Sequence, residues 1–142
     1  MSVGQICTRT VITAKPDETA RAAADRMLHY NVGSLVIVDN NKPVGILTDR
    51  DLVLRVMARS NDPDAVNIAS IMTTKPVCIQ EQTPLEDAMN LLRGYQIRRL
   101  IVVNQAQELI GIFALDDMLE MLGEEQQAIA ALMRTTRTLH KL

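Results

Sequence analysis

Apolar residues recur along the chain with two different periods, and the order of those periods repeats. Near the start, the β-prone stretch 11–13 (VIT) precedes Ala20, Ala23, Ala24 and Met27, spaced i, i+3, i+4 and i+7. That spacing predicts a helix with one buried face. The helix ends at Tyr30 and gives way to SLVIVD at 34–39, a continuous apolar run of the length and β-branched content of a buried strand. A polar turn, NNKP at 40–43, leads into PVGIL at 43–47, and the two apolar runs predict a hairpin. Asp51 then opens another apolar-striped helix, DLVLRVMA.

The same order occurs again. Residues 77–79 (VCI) resemble 11–13, and Leu85, Ala88, Met89 and Leu92 repeat the helical spacing up to Tyr95. RLIVVN at 99–104 is the buried run, QAQE at 105–108 the turn and LIGIF at 109–113 the returning strand, while Asp117 opens DMLEML as Asp51 opens its helix. Each copy therefore reads β-α-β-β-α, and such self-similarity decides the fold before any single residue does. Thr83, Pro84 and Glu86 read as a capping box at the start of the second copy's first helix.

A three-stranded sheet with helices on one side cannot bury both faces alone. The two copies are expected to pair about a pseudo-twofold axis as one α/β (α+β) module, with clefts between the halves. The expected boundaries are 6–60 for the first repeat, 61–71 for a linker with a short connecting helix, and 72–122 for the second repeat. The polar run RSNDPDAVN at 59–67 marks the linker. After Gly123 a C-terminal amphipathic helix is expected over 124–140, with Glu124 and Glu125 at its start and Arg134, Arg137, His140 and Lys141 near its end. That charge order suits the helix dipole. Its stripe of Ile129, Leu132, Met133 and Leu139 must bury itself on the domain or on a partner chain.

Composition narrows the function. The 142 residues are 47% hydrophobic and 23% charged, ordinary for a globular chain of about one domain. Fifteen Lys and Arg against 17 Asp and Glu leave a net charge of −2, which supplies no field for nucleic acid or an anionic membrane. Only Tyr30, Tyr95 and Phe113 are aromatic, too few for base-stacking platforms. Cys7 and Cys78 lie far apart with no CxxC, so they read as free thiols in a reducing compartment rather than as a metal site. No apolar run approaches the length of a membrane span, and a cytoplasmic protein is expected. Phosphate-loop, dinucleotide, zinc-protease and nucleophile-elbow motifs are absent, so no enzyme and no required cofactor are expected.

GSLVIVD at 33–39 followed by PVGILTDRDL at 43–52, and IRRLIVVN followed by LIGIFALDDM at 109–118, resemble the cystathionine-β-synthase-type (CBS) repeat. The likeness covers residues 6 to 122 and resembles the stand-alone prokaryotic tandem pair often called a Bateman module. It implies a regulatory module whose clefts take adenosine-containing ligands such as AMP, ADP, ATP, S-adenosylmethionine or NAD-type dinucleotides. The family's G-h-x-T-x-x-D motif falls on Thr48 and Asp51, which implies a ribose contact, since a carboxylate can accept both protons of a 2′,3′-diol. The second copy keeps Asp117 but has Ala114 in the threonine's place. Arg98 and Arg99 stand where the first copy has Gly33 and Ser34, and the resemblance implies phosphate contacts there. Adenine is then expected near Thr13, Ala14, Cys78 and Ile79, and one composite cleft would join Thr48 and Asp51 to Arg98 or Arg99.

Each of these residues also has a purely structural reading. Thr48 and Asp51 form a capping sequence for a helix beginning at Asp49, with or without a ligand. Asp117 without a hydroxyl partner reads as a carboxylate favoured at a helix start. Arg98 and Arg99 are adjacent, so on a strand they face opposite ways and one is solvated. His29 reads as solvent-facing, and Met27, Met72, Met89, Met118 and Met121 as core fillers. The expected function is a non-enzymatic sensor, a homodimer that binds an adenine nucleotide and modulates a partner protein. The rivals are a ligand-free docking protein acting through its dimer surface and C-terminal helix, and a module for S-adenosylmethionine or nucleic acid.

Overall fold

The computed structural model describes residues 1–140, and the side chains of all of these except 117, 118, 121 and 135–140. A short α1 (Val3–Ile6) precedes the first copy, which runs β1 (Thr13–Ala14), α2 (Ala20–Tyr30), β2 (Ser34–Asp39), β3 (Lys42–Thr48) and α3 (Asp49–Leu52). The chain continues from α3 in a wider π-helical turn, Val53–Met57. A second lead-in, α4 (Ile68–Ile71) and β4 (Thr73–Thr74), precedes β5 (Cys78–Gln80), α5 (Leu85–Tyr95), β6 (Arg99–Val103), β7 (Leu109–Ala114) and α6 (Leu115–His140).

The helical spacing picks out the inward faces, although Ala24 is exposed and Leu85 and Met89 are only half-buried. Ala20, Ala23 and Met27 of α2 are buried, as are Ala88 and Leu92 of α5. Thr19 caps α2 by accepting from the Ala22 amide at 3.1 Å. The capping box expected at Thr83 does not form. Pro84 itself occupies the cap position in an extended conformation (φ −61°, ψ 145°), so the helix starts one residue later than expected. Both helices end on a left-handed residue, Asn31 and Gln96, whose amides return to the last turn.

The hairpins pair as expected, with Ser34 opposite Thr48 and Arg99 opposite Ala114. β1 and β5 join their sheets in parallel. The lead-ins depart from the sequence expectation, because each crosses to the other copy. β4 adds a fourth strand to the first sheet by pairing with Gly45 and Ile46. Ile68 and Ile71 of α4 enter the first core, and the Ile68 amide donates to the Glu18 carbonyl at 2.9 Å. Reciprocally, Val3 of α1 enters the second core, its amide donates to the Thr83 carbonyl at 2.9 Å, and Thr8 bridges to Ile112 of β7.

This crossing explains a glycine in each strand. A Cβ on Gly111 would lie 2.6 Å from the Thr8 carbonyl oxygen, and one on Gly45 would lie 2.9 Å from that of Thr73. Neither glycine has a positive φ, so close approach is what selects it.

A third apolar cluster closes the seam between the sheets: buried Val36, Ile101 and Val103 with Val11, Val38, Ile46, Cys78, Leu109 and Ile112 around them. The central strands are thus covered on both faces, which is why their sequences are unbroken apolar runs. The expected break at Gly123 is absent, and α6 runs through it as one helix. A single glycine costs a helix only about 1 kcal/mol against alanine, and the Met, Leu, Glu and Gln residues around it are good helix formers. Ile129, Leu132 and Met133 remain exposed, so this part of the stripe does not fold back on the domain. The side chain of Leu139 lies outside the described residues.

Candidate functional site

The starts of β2 and β6 meet beside the first lead-in, and a cleft of about 310 Å³ opens where they do. One wall is the lead-in Thr8, Thr10, Val11 and Ile12, and the floor holds Val32, Gly33 and Ser34 from the first copy. Arg98, Arg99, Ile112, Ala114 and Asp116 of the second copy complete it. The backbone of the lead-in is tied at both ends. The Thr8 amide and carbonyl pair with Ile112, and the Ile12 carbonyl accepts from the Val36 amide at 3.2 Å. Between these ties, no backbone hydrogen bond of the Thr10 or Val11 amide is found among the described residues. The cleft therefore offers two guanidinium groups, the peptide N–H groups of Thr10 and Val11 and an apolar floor.

Arg98 is held by its carbonyl, which accepts from the Leu115 amide at 2.9 Å, while its guanidinium reaches Asp116 Oδ1 at 3.2 Å. That ion pair is 72% and 69% exposed, so it is weak and easily exchanged for another anion. Arg99 opens β6 with an exposed side chain. The exposed pair of cationic groups and the small Ala114 leave room at this corner for an anion.

Thr48 and Asp51 stand at the corresponding corner of the first copy, beyond the residues lining this cleft. Their capping box is complete: the Asp51 amide donates to Thr48 Oγ1 at 3.2 Å and the Thr48 amide donates to Asp51 Oδ2 at 3.0 Å. Arg55 Nε approaches Asp51 Oδ1 at 3.8 Å, and the Asp51 side chain is only 15% exposed. The side chain of Asp117 lies outside the described residues. Thr48 pairs with Ser34 across β2 and β3, so the two corners are related through the strands that form the cleft floor.

The residues expected to receive adenine are placed differently from one another. Ala14 and Ile79 point into the first and second cores and offer no side-chain surface to a ligand. Cys78 packs into the seam, and burial pushes its thiol pKa above the usual value. Thr13 lines a separate hollow of about 280 Å³ with Val38, Asn41, Asn104, Glu108 and Leu109. A larger hollow of about 530 Å³ is lined by Lys15, Pro16, Asp17, Val38, Asp39, Asn40 and Asn41, all of the first copy. Of these, Val38 also borders the seam. Thr8, Thr10, Val11, Ile12, Val32, Ile112 and Asp116 are lining residues that the sequence did not single out. No local sequence signal marked them, because the pairing of each lead-in with the opposite glycine-bearing strand is what shifts the cleft wall toward the N-terminus of β1.

The wider surface carries little other concentrated chemistry. Among the described residues, no three His, Cys, Asp or Glu side chains gather as a metal site, and no helix is long and apolar enough to cross a membrane.

Comparison with known proteins gives the same architecture. A family model described as CBS domain matches residues 3–58 and again 68–124. An uncharacterized protein of Methanopyrus kandleri, MK0525, is 38% identical over 122 residues, 85% of this chain; the chain spans 62% of that relative's length. The CBS domain protein PAE2072 from Pyrobaculum aerophilum, solved with AMP, is 25% identical with a TM-score of 0.73, covering 82% of this chain and 89% of its own. The CBS domain pair of protein MJ0100, solved with 5′-methylthioadenosine and S-adenosyl-L-methionine, is 26% identical with a TM-score of 0.76, covering 88% and 98%. Two matched repeats, exchanged lead-ins and a shared seam lead to one conclusion: the chain belongs to the CBS domain family, as a tandem pair of its repeats.

Proposed function

We propose that this protein is a non-catalytic regulatory module that binds an adenosine-containing ligand with an anionic tail, AMP, ADP or ATP foremost, and modulates a partner protein. The observation that carries the reading is the cleft at the pseudo-twofold seam, where Arg98 and Arg99 face the lead-in Thr8–Ile12. Phosphate oxygens replace Asp116 at the Arg98 guanidinium and add Arg99, in bidentate charge-assisted contacts that are stronger than an exposed ion pair. The adenine lies on Val32 and Ile112, with the Thr10 and Val11 amides as donors to its ring nitrogens. Thr48 and Asp51 form the corresponding half-site of the first repeat and take the ribose of a second ligand.

A ligand at the seam touches both repeats, so it can favour one arrangement of the halves over another to the extent that its contacts differ between them. The adenosine compounds bound by the two solved relatives support the choice of ligand class. Asp116 in the same cleft favours a second reading, S-adenosylmethionine, whose cationic sulfonium and amine it would meet.

Thermal shift separates these. A ligand at 100 times its dissociation constant adds about 2.7 kcal/mol, and at about 2–4 °C per kcal/mol the melting temperature rises by roughly 5–11 °C. AMP, ADP and ATP should produce that shift, and Arg98→Ala with Arg99→Ala should abolish it. A response to S-adenosylmethionine alone supports the second reading, and no response to any adenosine compound removes the sensor reading in favour of a docking protein.

A further inference from the structure

The two corners of the seam share one backbone geometry and carry different charges. Ser34 lies opposite Thr48 and Arg99 opposite Ala114, which sets Gly33 in register with Arg98, and Asp49 with Leu115. The same backbone bond closes both corners. The Asp49 amide donates to the Gly33 carbonyl at 3.0 Å, and the Leu115 amide donates to the Arg98 carbonyl at 2.9 Å. Where the second repeat has a guanidinium beside a leucine, the first has a carboxylate beside a glycine.

That carboxylate stands against the missing side chain. A Cβ on Gly33 would lie 3.2 Å from Asp49 Oδ2, so Asp49 borders the place where a side chain equivalent to that of Arg98 would begin. Its other oxygen, Oδ1, accepts from the Arg50 amide at 2.8 Å, which holds the group there. Among the described residues no cation pairs with Asp49, whereas Asp51 is matched by Arg55. Arg50 is exposed and does not line the cleft, although its counterpart Asp116 does. A carboxylate is favoured at the start of a helix such as α3, but Asp51 already stands in that turn. Asp49 adds an uncompensated negative charge beside Gly33, which lines the cleft.

Given the adenosine reading of the two half-sites, on which this rests, we infer that Asp49 is a specificity-determining residue that turns phosphate away from the first half-site. Each chain then takes one nucleotide, at Arg98 and Arg99. At Thr48 and Asp51 it takes an adenosine whose 5′ substituent carries no negative charge. A nucleotide with its ribose on Thr48 and Asp51 brings its phosphate to the Gly33 corner, as the equivalent ligand brings its phosphate to Arg98. There it meets a carboxylate in place of a guanidinium, and a like charge set against one ligand class selects for the other.

Isothermal titration calorimetry of the full chain with AMP and with 5′-methylthioadenosine tests it. AMP should bind the wild type at one equivalent per chain, and 5′-methylthioadenosine should still bind when AMP is saturating. Asp49→Asn removes the charge and keeps an acceptor for the Arg50 amide. In that variant the first half-site should gain about tenfold in affinity for AMP and appear as a second, weaker equivalent. Gly33→Arg combined with Asp49→Leu copies the pair of the second repeat; it should bind two equivalents of AMP and leave no site for 5′-methylthioadenosine. Two equivalents of AMP on the wild type, loss of 5′-methylthioadenosine binding at saturating AMP, or AMP binding unchanged in both variants would overturn the assignment of Asp49 and leave the adenosine reading standing. No binding of either compound would overturn both.

Discussion

Replacing Gly111 by alanine tests the crossing of the lead-ins, on which the cleft depends. The added methyl lies 2.6 Å from the Thr8 carbonyl oxygen and 2.9 Å from Cys7 Sγ. The sulfur can rotate away, but the carbonyl is backbone and is held by the Ile112 amide at 2.9 Å, as the Thr8 amide is held by the Ile112 carbonyl at 2.8 Å. Relieving the clash lengthens both bonds. Overpacking of this kind costs about 1–3 kcal/mol, and two weakened backbone bonds add about 0.5–1.5 kcal/mol each. A total near 3 kcal/mol lowers the melting temperature by roughly 6–12 °C. Gly94→Ala is the matched control, because a Cβ there meets nothing within 4 Å in α5. It should stabilise by about 0.5–1 kcal/mol. Calorimetric melting of both variants decides the matter: if Gly111→Ala melts within 2 °C of wild type, or rises as Gly94→Ala does, the lead-in does not cross as described and the reasoning fails.

Other consequences follow from single residues. Arg26 donates to both Glu18 oxygens, at 2.6 and 2.9 Å, and these hydrogen bonds hold the Glu18 carboxyl below its ordinary pKa. A lowered folded-state pKa gives stability that is fully present above the ordinary carboxylate value and lost as pH falls through the folded one. Glu18→Gln should therefore cost about 1–2 kcal/mol at pH 7, with the difference from wild type closing in urea melts below about pH 4. Thr48→Ala removes the hydroxyl that caps α3 and should cost about 1 kcal/mol without ligand; a loss below about 0.3 kcal/mol in urea denaturation would contradict the capping geometry. Burial raises the thiol pKa of both Cys7 and Cys78, so alkylation by iodoacetamide at pH 7.5 should be slower than for a free cysteine and accelerate in denaturant.

The sequence carried the repeated elements because their signals are local. The i, i+3, i+4, i+7 spacing marked α2 and α5 and most of their inward residues, with Ala24 the exposed exception, and the unbroken runs at 34–39 and 99–104 marked strands covered on both faces. The exchange of lead-ins was not legible. Val3, Ile68 and Ile71 form helices of one turn, too short for a periodic pattern, and their partners lie in the other copy. That exchange also moved the cleft wall to Thr8–Ile12, whereas Ala14 and Ile79 turn inward. Gly123 misled because glycine after a helical stripe usually signals an end, and here good helix formers on both sides carry α6 through it. Arg98 and Arg99 were legible as a departure between the copies, and the same comparison hid Asp116, whose place in the cleft arises only when β7 and α6 fold beside β6.

Hydrogen–deuterium exchange of the full chain with and without AMP tests the central claim most directly, because it reports binding and location together. The account predicts slowed exchange at residues 8–12, where the Thr10 and Val11 amides acquire partners, and at 32–34 and 98–99. Unchanged exchange across those segments at saturating AMP, or protection confined to the hollow at Lys15–Asp17 and Asp39–Asn41, would contradict it.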